Sequence, residues 1–147
     1  MPKKDAETSA AGALRPIQDI IADLSKPIAK RHLLTKRQGG ADLTFIPWYY
    51  AVKYLDLHAP GWSYDIRYEG HVPAPEKLQS DKKTHRGKVV VRVDLSIPCV
   101  EGVVTRSALG IEEDVVTGYG DPTSNAESMA LRRAAAKFGL GLYLYEK

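Results

Sequence analysis

Two adjacent arginines and a lysine, Arg132, Arg133 and Lys137, stand in the segment "SNAESMALRRAAAKFGLG" at residues 124–141. Fixed positive charge on one helix face is suited to holding anions, phosphate above all, because guanidinium and ammonium groups make charge-assisted hydrogen bonds to oxyanions. From Ser128 to Tyr145 there is no acidic residue, so the Glu–Lys pairing common on solvated helices is missing. Two more stretches are basic. Residues 26–37 hold five Lys/Arg and no acid, and residues 77–92 hold six Lys/Arg against one Asp. Separated basic clusters are the electrostatic footprint of a polyanion binder, although any one of them also fits a solvated surface. The net charge of +3 is too small to carry the argument by itself.

Residues for bond-making chemistry are harder to find. The pair Gly139-x-Gly141 follows the helix, whereas a dinucleotide loop precedes one, so it reads as a helix stop and a packing contact. "HRGKVV" lacks the first glycine and the Ser/Thr of a phosphate loop. His32, His58, His71 and His85 show no metal-ligand spacing, and Cys99 has no activating neighbour in sequence. Glu112, Glu113 and Asp114 could in principle hold a divalent ion with Asp121 or Glu127, but consecutive residues of extended chain face opposite ways. The expectation is a binding protein rather than an enzyme, with no catalytic residue, no metal and no cofactor.

Aromatic residues interleaved with cations suit single-stranded nucleic acid, where charge follows the phosphates and rings meet bases. Phe45 lies closest to the basic Lys36-Arg37 pair, whereas Trp48 and Trp62 are expected to fill core or interface.

The elements that must position these residues follow from periodicity. Ile17, Ile20, Ile21, Leu24 and Ile28 predict a helix from Pro16, stopped by Pro27, and "RQGGAD" then reads as a loop. "FIPWYYAVKYLDLHAPG" predicts a second helix with Pro47 in its first turn. Alternation predicts a strand through Trp62, Tyr64, Ile66 and Tyr68, and another through Val89, Val91, Val93, Leu95 and Ile97. A turn at Glu101-Gly102 leads to a third strand over "VVTRSALGI". In the last helix, Ser124 and Glu127 form an S-x-x-E capping box. Leu131, Ala134, Ala135, Phe138 and Leu142 share its apolar stripe, with Arg132, Arg133 and Lys137 opposite. The fold class is therefore α+β, a three-stranded antiparallel sheet with helices on one face.

At 147 residues and 44% hydrophobic, the chain is one domain with a working core. Residues 1–14 read as a disordered tail and 15–147 as the domain. No run approaches the roughly 20 apolar residues of a membrane span, and the start has no continuous apolar h-region. With a single cysteine, an intrachain disulfide is excluded, and a reducing compartment, the cytoplasm, is expected.

The pieces "GG…FI", "GWSYDI", "EDVVTGYG" and "LRRAAAKFG", in this order and spacing, resemble the Rad-fifty-two (RAD52) superfamily of single-strand annealing proteins. The resemblance covers roughly residues 17–145 and is closest to the superfamily's bacterial branch, the DdrA-type DNA damage response proteins. It implies a β-β-β-α core with an additional N-terminal helical element, assembly into a large homo-oligomeric ring, and single-stranded DNA as partner in a basic groove. It implies groove roles for Arg132 and Arg133 and for Lys36 or Arg37 with Phe45. The role of Lys137 is open, because the third cation of that pattern falls at Ala136. A second DNA surface is implied at Lys82, Lys83, Arg86, Lys88 and Arg92. Annealing and protection of 3′ single-stranded ends are both compatible with it. Two other readings remain. The order helix, three strands, helix also suits a double-stranded RNA module, and the acidic cluster would suit a metal-dependent nuclease.

Overall fold

The computed structural model describes residues 13–74, 87–114 and 121–146. In chain order it contains α1 (Ile17–Leu24), a 3-10 turn (Lys30–His32), β1 (Leu34–Gln38), β2 (Ala41–Phe45), α2 (Trp48–His58), β3 (Ser63–Val72), β4 (Lys88–Cys99), β5 (Gly102–Glu113), α3 (Pro122–Ala136) and a second 3-10 turn (Leu142–Tyr145). β3, β4 and β5 form an antiparallel sheet in that order, and β1 and β2 form a separate hairpin. The expected α+β class and three-stranded sheet are both present.

β4 carries the sheet. Its Val91, Val93, Leu95, Ile97 and Cys99 are all buried, as period-two alternation requires of a strand with one face in the core. α3 covers that face with Ala126, Ala130, Leu131, Ala134 and Ala135, and Phe138 completes the layer. Small side chains bring helix and sheet very close. A Cβ added at Gly110 of β5 would overlap the Ala126 carbonyl oxygen and lie 2.7 Å from the Ala130 nitrogen. Ile20 and Leu24 of α1 and Ala51 and Leu55 of α2 close the core from the side.

Several expectations are corrected. The "RQGGAD" loop is the tip of the β1–β2 hairpin: Gln38 pairs with Ala41, and Gly39 and Gly40 both have positive φ, at 61° and 80°. A two-residue turn with both φ positive matches the twist of a hairpin, and glycine enters it without strain. Pro47 caps α2 from outside instead of sitting in its first turn. The β4–β5 turn is Val100-Glu101, with Cys99 paired to Gly102.

The alternation of β3 breaks where Ile66 pairs with Val93 but Tyr68 with Arg92, leaving Arg67 extra. That bulge moves Tyr68 off the Tyr64–Ile66 face and onto the outer face with Arg92. α3 is capped by Asp121, whose carboxylate accepts from the backbone N–H of Ser124 at 2.8 Å and from its hydroxyl at 2.9 Å. Glu127 is not part of a capping box; it accepts the Tyr64 hydroxyl at 2.7 Å.

Leu142 leaves the apolar stripe and is exposed. The helix closes in a Schellman arrangement, Leu140 N–H to Ala135 O and Gly139 N–H to Ala136 O, with Gly139 at φ 108°. The expected reading of this glycine as a stop holds. At the other end of the chain, Val100 N–H donates to Arg15 O at 3.0 Å and Ile17 N–H to a Glu101 carboxylate oxygen at 2.9 Å, fastening the entry of α1 to the β4–β5 turn.

Gly110→Ala forces α3 off the sheet and is expected to destabilise the fold by about 1–3 kcal/mol or more, as overpacking does. Urea unfolding measures this as a lowered midpoint at unchanged slope.

Candidate functional site

The hairpin register sorts the basic loop. Lys36 pairs with Leu43 and Leu34 with Phe45, so Lys36 and Phe45 share one face while Arg37 and Asp42 share the other. On its own face, Arg37 is held by Asp42 at 3.0 Å. Between the two candidates, Lys36 is therefore the one beside Phe45.

α3 supplies the facing side. The Arg132 guanidinium lies 4.9 Å from the Phe45 ring centroid and the Lys36 ammonium 5.5 Å from it. One aromatic ring thus attracts two cations from two elements. Arg132 Nε also donates to Ser128 O at 3.3 Å. Burial pushes its pKa below the usual guanidinium range; Tyr145 opposes that shift and Arg133 adds to it. A guanidinium stays charged at neutral pH even so. Lys36, Phe45, Arg132 and Arg133 line one cleft of about 420 Å³, together with Glu112 and Tyr145.

Arg133 and Lys137 diverge from Arg132. Arg133 Nη1 donates to Leu109 O at 3.1 Å and Lys137 Nζ to Ser107 O at 2.5 Å. These carbonyls belong to β5, an outer strand of the sheet, so the two cations close part of an open edge. Arg106 reaches back to Lys137 O and places its guanidinium 4.8 Å from the Phe138 ring centroid. A second, shallower depression of about 500 Å³ is lined by Arg92, Arg133 and Lys137, so Arg133 borders both cavities.

Arg92, expected on the second surface, is therefore found beside Lys137 and Arg133. Lys88, exposed at the start of the same strand, is four residues away, about 13 Å in extended chain. Lys82, Lys83 and Arg86 lie outside the described residues, as does most of the expected N-terminal tail. Asp94 restrains Arg92. It accepts from Ser107 Oγ at 2.5 Å and from Arg92 Nε at 3.1 Å, with Arg67 Nε at 3.6 Å. The Ser107 hydrogen bond first, then Arg92 and Arg67, hold its carboxyl below the usual range.

The acids do not converge. Glu112 accepts from Glu113 N–H at 3.0 Å and meets the Asn125 amide at 3.5 Å, while Asp114 pairs with His71 at 2.9 Å. Among the described residues no three His, Cys, Asp or Glu side chains gather as a metal site. Cys99 is buried and donates to Gly102 O.

Trp62 behaves as a packing residue, stacked on Tyr64 with its indole N–H on Asp56 at 2.6 Å. Trp48 is not in the core: it is half exposed at the start of α2, next to the exposed Tyr49, which leaves the interface half of that expectation open. Sequence reasoning missed Tyr145 and Glu112 as cleft residues. Tyr145 arrives because the chain reverses at Gly139 and the following turn is pinned by Ile28 N–H donating to Tyr143 OH at 3.0 Å. The Gly-Gly pair between two five-residue runs was the available signal for the hairpin, and hence for the face that Lys36 and Phe45 share.

No protein-family profile matches the chain. Two curated proteins of Arabidopsis thaliana do. "DNA repair RAD52-like protein 1, mitochondrial" is 32% identical over 145 residues, covering 99% of this chain and 75% of that protein. "DNA repair RAD52-like protein 2, chloroplastic" is 32% identical over 146 residues, covering 97% of this chain and 67% of that protein.

Because the folded pKa of Asp94 lies below its unfolded value of about 3.9, its ionised form contributes stability above that pH and loses it as pH falls through the folded value. Asp94→Asn is accordingly expected to lower the urea midpoint at neutral pH, with the gap to the parent closing below about pH 4. A gap that persists unchanged in acid would show that the carboxylate charge is not its source.

Proposed function

The chain belongs to the family of RAD52-like DNA repair proteins, and on that premise we propose that it binds single-stranded DNA through the Lys36–Phe45–Arg132–Arg133 cleft and acts in DNA repair by annealing complementary strands or protecting 3′ single-stranded ends. The observation that carries the proposal is the stacking of Arg132 and Lys36 on the Phe45 ring. Two cations from elements far apart in sequence are held on one side of the molecule, with Arg133 next to them.

Such a site needs no catalyst. The guanidinium and ammonium groups take phosphate oxygens, and the counterions released from the strand supply much of the affinity. Because phosphate contacts carry no sequence information, the strand is held whatever its sequence and its bases stay available for pairing. Arg133 and Lys137, already fixed on β5 carbonyls, keep further guanidinium and ammonium protons for the strand. The depression they share with Arg92 extends the basic track beyond the cleft.

We further propose that copies of the chain assemble into a closed ring and that it falls in the superfamily's bacterial, DdrA-type branch. In support of assembly, the outer strand β3 leaves its edge open within one chain, and Ile66 and Tyr68 of β3 and Val103 of β5 are exposed. A neighbouring copy would cover such strands. A ring would repeat the cleft around one strand and raise affinity by multivalency.

Arg132→Ala combined with Arg133→Ala is expected to weaken single-strand binding and to flatten the slope of log affinity against log salt by about 1.4, at about 0.7 per phosphate contact. Fluorescence anisotropy on a labelled oligonucleotide over a salt series reads both. If affinity and slope are unchanged while circular dichroism shows an intact fold, the cleft is not where the strand lies.

A further inference from the structure

The cleft contains more than phosphate binding requires. Cations on an open surface suffice for a phosphate backbone, yet here Lys36, Arg132 and Arg133 border a cavity of about 420 Å³ whose walls include Leu43, Ile111 and Met129. That volume is within the range of about 300–1,000 Å³ found for small-molecule pockets, which pair apolar walls with a few polar groups. Two of its side chains carry groups that a phosphate does not use, the Glu112 carboxylate and, apart from its hydroxyl, the Tyr145 ring. Glu112 is a carboxylate, which repels one. Tyr145 offers a ring that is half exposed and has no stacking partner among the described residues, in contrast to Phe45, which already carries two cations.

We propose that the cleft takes one nucleobase of the bound strand, stacked on Tyr145 with its amino or imino edge toward Glu112, while the flanking phosphates rest on Lys36, Arg132 and Arg133. The proposal rests on the single-strand reading above and deepens it. Glu112 keeps acceptor capacity for this role: one oxygen takes the Glu113 N–H at 3.0 Å, and the other meets only the Asn125 amide, at 3.5 Å. A carboxylate accepts from the exocyclic amino group of a base as readily as it rejects a phosphate. Stacking tolerates any base, so the site holds position along the strand more than sequence. In each protomer one base is then withdrawn from pairing while its neighbours remain free.

The test compares a natural oligonucleotide with one of the same length built of stable abasic residues, across a salt series, on the full chain. Wild type is expected to bind the natural strand about tenfold more tightly, in the range of one stacked base. Tyr145→Ala is expected to lose that preference with the salt slope unchanged, Tyr145→Phe to keep it, and Glu112→Gln to reduce it. Equal binding of natural and abasic strands by wild type, with a normal salt slope, overturns the base site and leaves the phosphate groove standing. A preference that survives intact in Tyr145→Ala also overturns it. Failure of wild type to bind either strand would remove the single-strand reading itself.

Discussion

The distance between α3 and β5 governs the rest of this structure. At Gly110 there is no room for even a methyl group beneath the Ala126 carbonyl. The helix can lie that low only because its inward residues are alanines through most of its length. Ordinary helix-on-sheet packing with Leu and Ile would hold α3 further out. The cations would then extend into solvent with most of their rotamer freedom, which costs entropy to recover on binding. With the helix this low, Arg133 and Lys137 lie over the sheet edge and can use its carbonyls as fixed points.

Preorganisation of like charges needs compensation, and here it comes from neutral groups. The Phe45 ring sits under Arg132 and Lys36, and the backbone carbonyls of Ser128, Leu109 and Ser107 accept from Arg132, Arg133 and Lys137. Carboxylates would have neutralised the same cations and weakened the positive field of this face. The contrast with Arg37, which is paired to Asp42, and Arg92, which is paired to Asp94, is instructive. Arg132, Arg133, Lys36 and Lys137 are held by dipoles and by a ring, whereas Arg37 and Arg92 are held by charge.

Much of this was legible in the sequence, and what was not has physical reasons. β4 announced its buried face through strict alternation, and "LRRAAAKFG" announced a cationic helix, because both signals are local and periodic. The helix start was misplaced by a turn because Ser124 fits a capping box as well as it fits its real role. Pro122, which lacks an N–H, is stable at the first helical position and lets Asp121 cap instead. The bulge at Arg67 has no sequence signature, since one extra residue changes faces without changing composition. Tyr145 could not be assigned to the cleft, because its place depends on a chain reversal at Gly139 and on a tertiary bond from Ile28 to Tyr143. Lys36 could be separated from Arg37 only through the hairpin register.

The fastening of the entry of α1 to the β4–β5 turn has a mechanical meaning. Arg15 O accepts from Val100, Glu101 accepts from Ile17, and the Arg15 side chain grips Asp23 and the His58 carbonyl. Tension applied to the chain ahead of Arg15 is therefore shared at once among α1, α2 and the tip of the longest hairpin, instead of unwinding α1 turn by turn.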